Sequence, residues 1–166
     1  GTVSIDRGET EGGSVVVNTG GNAVIEDGKT VTLIADPNDN FRVSEVWIDG
    51  VKDETISDEN YSITDVYSKV LTPDKSFTVS IVFAPNRYEV TKMDAVNGSI
   101  ILGDDVNASS VLVNHDGSCQ VYVIPSEGYC ISGIQVDGVD YNEVVEDEEH
   151  EGGVIFTLQN ITSNTI

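Results

Sequence analysis

The side chains suited to chemistry in this chain are few in kind, and most are carboxylates. There are two histidines, His115 and His150, and two cysteines, Cys119 and Cys130. His150 stands inside the run Glu146-Asp147-Glu148-Glu149-His150-Glu151, and His115 precedes an Asp-Gly pair. A hydrolytic triad needs a nucleophile presented beside a base, and no nucleophile-elbow motif occurs. With 29 Asp and Glu in 166 residues, carboxylate pairs arise by chance and do not by themselves indicate acid/base work on a sugar. Zinc lacks a ligand set, because ten residues separate Cys119 from Cys130 and no histidine motif accompanies them. The expectation is a protein without catalytic residues.

Ca²⁺ is the one ligand the carboxylates would suit, since it takes several oxygen donors. Glu143, Glu146, Asp147 and Glu149 form one candidate group, and Asp36 and Asp39, flanking Asn38, belong to a second. Neither follows EF-hand spacing, and charge runs are ordinarily solvated faces; no other cofactor is expected. Strand parity separates the cysteines. Cys119 is in phase with Val121 and Val123, which places it inside, whereas Cys130 lies between Tyr129 and Ile131, which places it outside. Opposite faces oppose a bond between them, although an oxidising compartment favours pairing. Trp47 is out of phase with Val46 and Ile48 and so points outward, as an interaction residue or as packing for a loop. Asn60, Asn97, Asn107 and Asn160 each open an Asn-X-Ser/Thr sequon and are glycosylation candidates.

The elements that must position these groups are strands. Apolar positions are dominated by β-branched residues, and no helical period is sustained. The formal charge is −21, with −9 on residues 1–85 and −12 on residues 86–166, so both halves are acidic. Such a surface repels phosphate backbones and anionic headgroups, which argues against nucleic-acid and membrane partners. No apolar run is long enough to span a bilayer.

An internal repeat settles the organisation. Residues 31–51, VTLIADPNDNFRVSEVWIDGV, align without a gap on residues 119–139, CQVYVIPSEGYCISGIQVDGV. Shared residues include Pro37/Pro125, Asp49/Asp137 and Gly50/Gly138, and the apolar positions match as well. Both copies carry the same break of phase, at Ser44-Glu45 and Ser132-Gly133, which predicts a β-bulge or bend in a hairpin. Asp-Gly turns close these hairpins, and Asp27-Gly28 and Asp116-Gly117 lead into them. Residues 76–83 read as a half-buried strand that Ala84-Pro85-Asn86 ends. The predicted organisation is all-β, with two tandem modules, 1–85 and 86–166, each a small β-sandwich or β-grasp-like layer. The second copy holds little beyond Thr165-Ile166 of the 76–83 strand, so its final strand is expected to be missing or supplied from elsewhere.

The order of a Gly-Ser turn, VTLIADPNDNF, a hairpin ending in Asp-Gly and SFTVSIVF resembles the divergent B-repeat of bacterial surface proteins, the internalin type or Listeria–Bacteroides repeat. The resemblance covers nearly the whole chain and weakens at the end of the second copy. It implies an extracellular or cell-surface location and a stalk, spacer or adhesion role beside other surface-protein domains. Two alternatives are a filament subunit completed by a strand from its neighbour, and an accessory carbohydrate-binding module built on Trp47. The partners expected are neighbouring subunits, polysaccharide or a host-surface ligand.

Overall fold

The sequence Val-Thr-Leu-Ile-Ala-Asp-Pro alternates buried with less buried side chains, and this strand is the centre of the first of two compact units, Gly1–Asn86 and Arg87–Ile166. The structure, a computed structural model, describes residues 3–6, 13–17, 30–56, 65–72 and 74–166. Every regular element among the described residues is a strand. The expected turn at Asp27-Gly28 and the sequon at Asn60 lie outside them.

The first unit contains β1 (Val3–Asp6), β2 (Gly13–Val17), β3 (Val31–Pro37), β4 (Phe41–Ile48), β5 (Val51–Lys52), β6 (Tyr67–Leu71) and β7 (Phe77–Pro85). They form two sheets, ordered β2-β3-β6 and β1-β7-β4-β5. One buried cluster takes Val15, Val31, Leu33 and Ala35 from the first sheet, and Val46, Phe77, Val79 and Ile81 from the second. The sheets thus close on each other as a small sandwich. Each wholly buried side chain of this kind, Val79 for example, contributes roughly 2 kcal/mol.

The predicted break of phase is a bulge. β4 runs antiparallel to β7, and its register shifts between Val43 and Glu45, which leaves Ser44 as the extra residue. The extra residue lets Val43 and Val46 both serve one core despite their opposite parity. Beside it, Gly13 opposes Pro37 on β3. A Cβ there would stand 2.5 Å from the Asp36 carbonyl oxygen and 2.6 Å from the Phe83 ring, so this approach needs glycine. Asn86 belongs to the first unit, since its N–H donates to the Asn40 carbonyl at 2.8 Å.

The second unit contains β8 (Arg87–Thr91), β9 (Gly98–Leu102), β10 (Ser110–Asn114), β11 (Gly117–Pro125), β12 (Gln135–Val136), β13 (Val139–Asp140), β14 (Val145–Glu146) and β15 (Val154–Ile161). Its sheet β14-β15-β11-β9 reproduces the β6-β3-β2 pairing residue for residue. Gly98 opposes Pro125 as Gly13 opposes Pro37, and Phe156 opposes Val121 as Lys69 opposes Leu33. The β12-β13 pair repeats β4-β5, with Val136 opposite Val139 as Ile48 is opposite Val51.

One expectation is corrected. Residues 129–134, predicted to form a hairpin strand with a bulge like that of β4, lie in no strand. β4 owes its straight run to the ladder with β7. In the second unit only Thr165 and Ile166 occupy the place where β7 begins, so residues 129–134 have no such ladder.

Both cysteines are free, Cys119 buried and Cys130 exposed. Burial pushes the Cys119 thiol up, against a smaller opposing effect of the Gly103 backbone. A thiolate is the reactive form. A maleimide reagent at neutral pH will therefore modify Cys130 quickly and Cys119 only upon unfolding. Intact-mass measurement will read one adduct in native buffer and two in denaturant, and two native adducts would refute the burial of Cys119.

Candidate functional site: an open groove in the second unit

Each unit ends its hairpin on an Asp-Gly turn in the left-handed region, with φ of 49° and 75° at Asp49-Gly50 and 51° and 76° at Asp137-Gly138. These angles are those of the tight turn that matches strand twist. The Asp side chain has a second task. Asp49 N–H donates to the Thr78 carbonyl and its Oδ1 accepts the Thr78 N–H, both at 2.9 Å. The Thr78 amide, opposed by modest desolvation, holds the Asp49 carboxyl below its ordinary range. In the second unit Asp137 N–H donates to the Ile166 carbonyl at 2.7 Å, and its Oδ1 accepts the Ile166 N–H at 2.8 Å.

Past this clamp the units differ. In the first, β7 continues between β1 and β4 and covers Leu33 and Ala35, which are 1% and 0% exposed. In the second, the matching face is an apolar cavity of about 280 Å³ lined by Leu102, Val121, Val123, Ile134, Val136 and Phe156, among others. Ile166 stands at its margin, and Lys92 is the charged residue of the lining.

The sequence-predicted candidates fall elsewhere. Asp36 and Asp39 are exposed, at the end of β3 and in the turn after it, and Glu143, Glu146 and Glu149 are exposed as well. Asp147 is only 3% exposed. Its Oδ1 accepts the Glu149 N–H at 2.9 Å and its Oδ2 lies 2.6 Å from His150 Nδ1. Burial opposes its charge, but the Glu149 amide and His150 outweigh this and keep its carboxyl below the ordinary value. Asp147 thus builds the turn between β14 and β15. Among the described residues, no three or more His, Cys, Asp or Glu side chains are grouped to hold a metal ion. Trp47 is half-buried, with its indole N–H on Glu45 Oε2 at 2.8 Å, while Lys52 Nζ reaches Glu45 Oε1 at 3.1 Å. Asn97, Asn107 and Asn160 are exposed.

Sequence reading missed a buried polar centre in the first unit. Asp53, 8% exposed, accepts from Tyr67 Oη at 2.6 Å, Lys69 Nζ at 2.7 Å, Thr55 Oγ1 at 2.7 Å and the Thr55 N–H at 3.1 Å. Lys69, then Tyr67, hold its carboxyl far below the usual range against the effect of burial. Burial, then Asp53, raises the Tyr67 hydroxyl. The available signal was the alternation Tyr67, Lys69, Leu71, in which one lysine disguises an inward face.

This centre makes the stability of the first unit, which holds the only tryptophan of the chain, depend on pH at both extremes. The folded Asp53 pKa lies below its unfolded value of about 3.9. Its contribution is therefore complete above that pH and drains away as pH falls below about 4. Tyr67 acts in the opposite sense, since its raised pKa means stability is lost as pH climbs above about 10. Asp53→Ala will destabilise the first unit by about 2–3 kcal/mol, less than for a fully buried pair because the Lys69 side chain is 39% exposed. Denaturant unfolding followed by Trp47 fluorescence checks this, and a variant midpoint equal to that of the parent at pH 7 would refute it.

Compared with family models, with curated proteins and with solved structures, the chain matches none.

Proposed function

We propose that the chain is a non-catalytic repeat region serving as stalk or spacer in an extracellular or cell-surface protein, as the B-repeat resemblance implies. One observation carries this reading. In the first unit the first strand and the last strand are neighbours and parallel, with Val3 opposite Phe77 and Asp6 opposite Ser80. Tension applied at the two ends of such a unit pulls β1 and β7 in opposite directions along their shared axis. All the hydrogen bonds between them are then strained together, and no single bond can fail first. The second unit starts the same arrangement, with Val90 bridged in parallel to Thr165. Thr91 N–H donates to the Thr165 carbonyl and Thr165 N–H to the Glu89 carbonyl, each at 2.9 Å.

The repetition of register supports the same reading, because copies of one module lengthen a chain without new architecture. An acidic surface of both halves keeps such a region soluble and disfavours sticking to like-charged neighbours. Adhesion through Trp47 is a lesser part of the proposal, since its indole N–H is already engaged by Glu45.

Direction of pulling tests the mechanical role. Handles at the two ends of the first unit shear β1 against β7, whereas handles at Asn40 and Asn86 peel β4 from β7 one bond at a time. Single-molecule stretching will show a several-fold higher unfolding force in the first geometry. Equal forces in the two geometries would remove the observation on which the stalk reading stands.

A further inference from the structure

The groove of the second unit has a filled counterpart within the same chain. Ile166 repeats the two hydrogen bonds that Thr78 makes to its hairpin aspartate. Thr165 repeats the parallel pairing of Phe77, on Val90 where Phe77 has Val3. From that point β7 carries Val79 and Ile81 into the core, 0% and 6% exposed, with Phe83 packed against it. Val121, Val123 and Ile134, which match Leu33, Ala35 and Val46, face the cavity of about 280 Å³ instead.

We propose that this groove is an acceptor site for one more β-strand, running on directly from Ile166 and apolar at alternate positions. The strand enters parallel to β8 and antiparallel to residues 129–136, as β7 does between β1 and β4. Its chemistry follows from the first unit: β7, Phe-Thr-Val-Ser-Ile-Val-Phe-Ala-Pro, carries no charge. A charged inward residue would meet an apolar lining and lose its hydration without a partner. Covalent continuation is favoured over a strand from another molecule because Ile166 already fixes direction and register. A separate strand would have to start against Ile166 and meet the full entropy cost of association. This inference rests on the second unit alone, so its failure leaves the stretching experiment on the first unit untouched.

The test is to extend the full chain past Ile166 with Val-Ser-Ile-Val-Phe-Ala-Pro, the residues that follow Thr78. Hydrogen exchange at residues 129–136 will slow by at least about tenfold, and the melting transition of the second unit will rise. A second extension, with Ser at the Val, Ile and Phe positions that match Val79, Ile81 and Phe83, will change neither. Unchanged exchange with the apolar extension, or equal protection by both extensions, overturns the acceptor site. The free peptide Val-Ser-Ile-Val-Phe-Ala-Pro forms the last arm. Protection of the same amides at micromolar peptide, as complete as that given by the extension, overturns covalent continuation in favour of a strand from another molecule.

Discussion

The aspartate of each hairpin turn is the constraint on which the rest of each unit depends. Asp49 and Asp137 take left-handed backbone angles that few residues adopt without cost, and Asp is among those few. That geometry brings both the N–H and the carboxylate to bear on one residue of an incoming segment, Thr78 or Ile166. A turn that seizes both backbone groups of that residue sets where the last strand begins and which side chains then face inward. A slip by one residue would expose Val79 and Ile81 and bury Ser80 and Val82. The turn thus acts as the register mark for the whole second sheet.

What the sequence disclosed is what a period of two can encode. The duplication follows from the gapless match of residues 31–51 on 119–139, and the extra residue at Ser44 and the inward side of Cys119 follow from parity. These stand in the structure, whereas Cys130 is exposed without belonging to a strand face. Two things were hidden for physical reasons. Lys69 occupies an inward position and so breaks the pattern of β6, because its stem packs inside while its ammonium meets Asp53. Residues 129–134 carry the right alternation but no strand, since alternation records which face a segment would bury and not whether a neighbour is there to pair with it. The acidic run misled in a similar way: by charge Asp147 matches Glu146 and Glu149, yet of these three it alone is buried, as a turn-former.

The two units resolve one structural position by opposite chemistry. Asp53 N–H donates to the Val46 carbonyl at 2.8 Å, and Tyr141 N–H donates to the Ile134 carbonyl at 2.9 Å, so the two residues are counterparts. Around Asp53 the first unit gathers Lys69, Tyr67 and Thr55. Around Tyr141 the second unit packs Phe156, the counterpart of Lys69, with ring centroids 4.8 Å apart. An ion pair must offset the desolvation of two charges, whereas an aromatic pair gains from burial outright. The same position is thus held by a buried ion pair in one unit and by ring packing in the other.

Parallel pairing of β1 with β7 also governs how the first unit comes into being. These strands are the first and last to leave the ribosome, and every other element of the unit lies between them in sequence. Closing so long a loop is entropically costly and is repaid only when the sheet forms, which places the unit among slow folders rich in distant contacts. A nascent chain therefore holds β1 without its partner until β7 arrives. The second sheet of the first unit cannot be completed before this last strand is made, because β7 lies between β1 and β4.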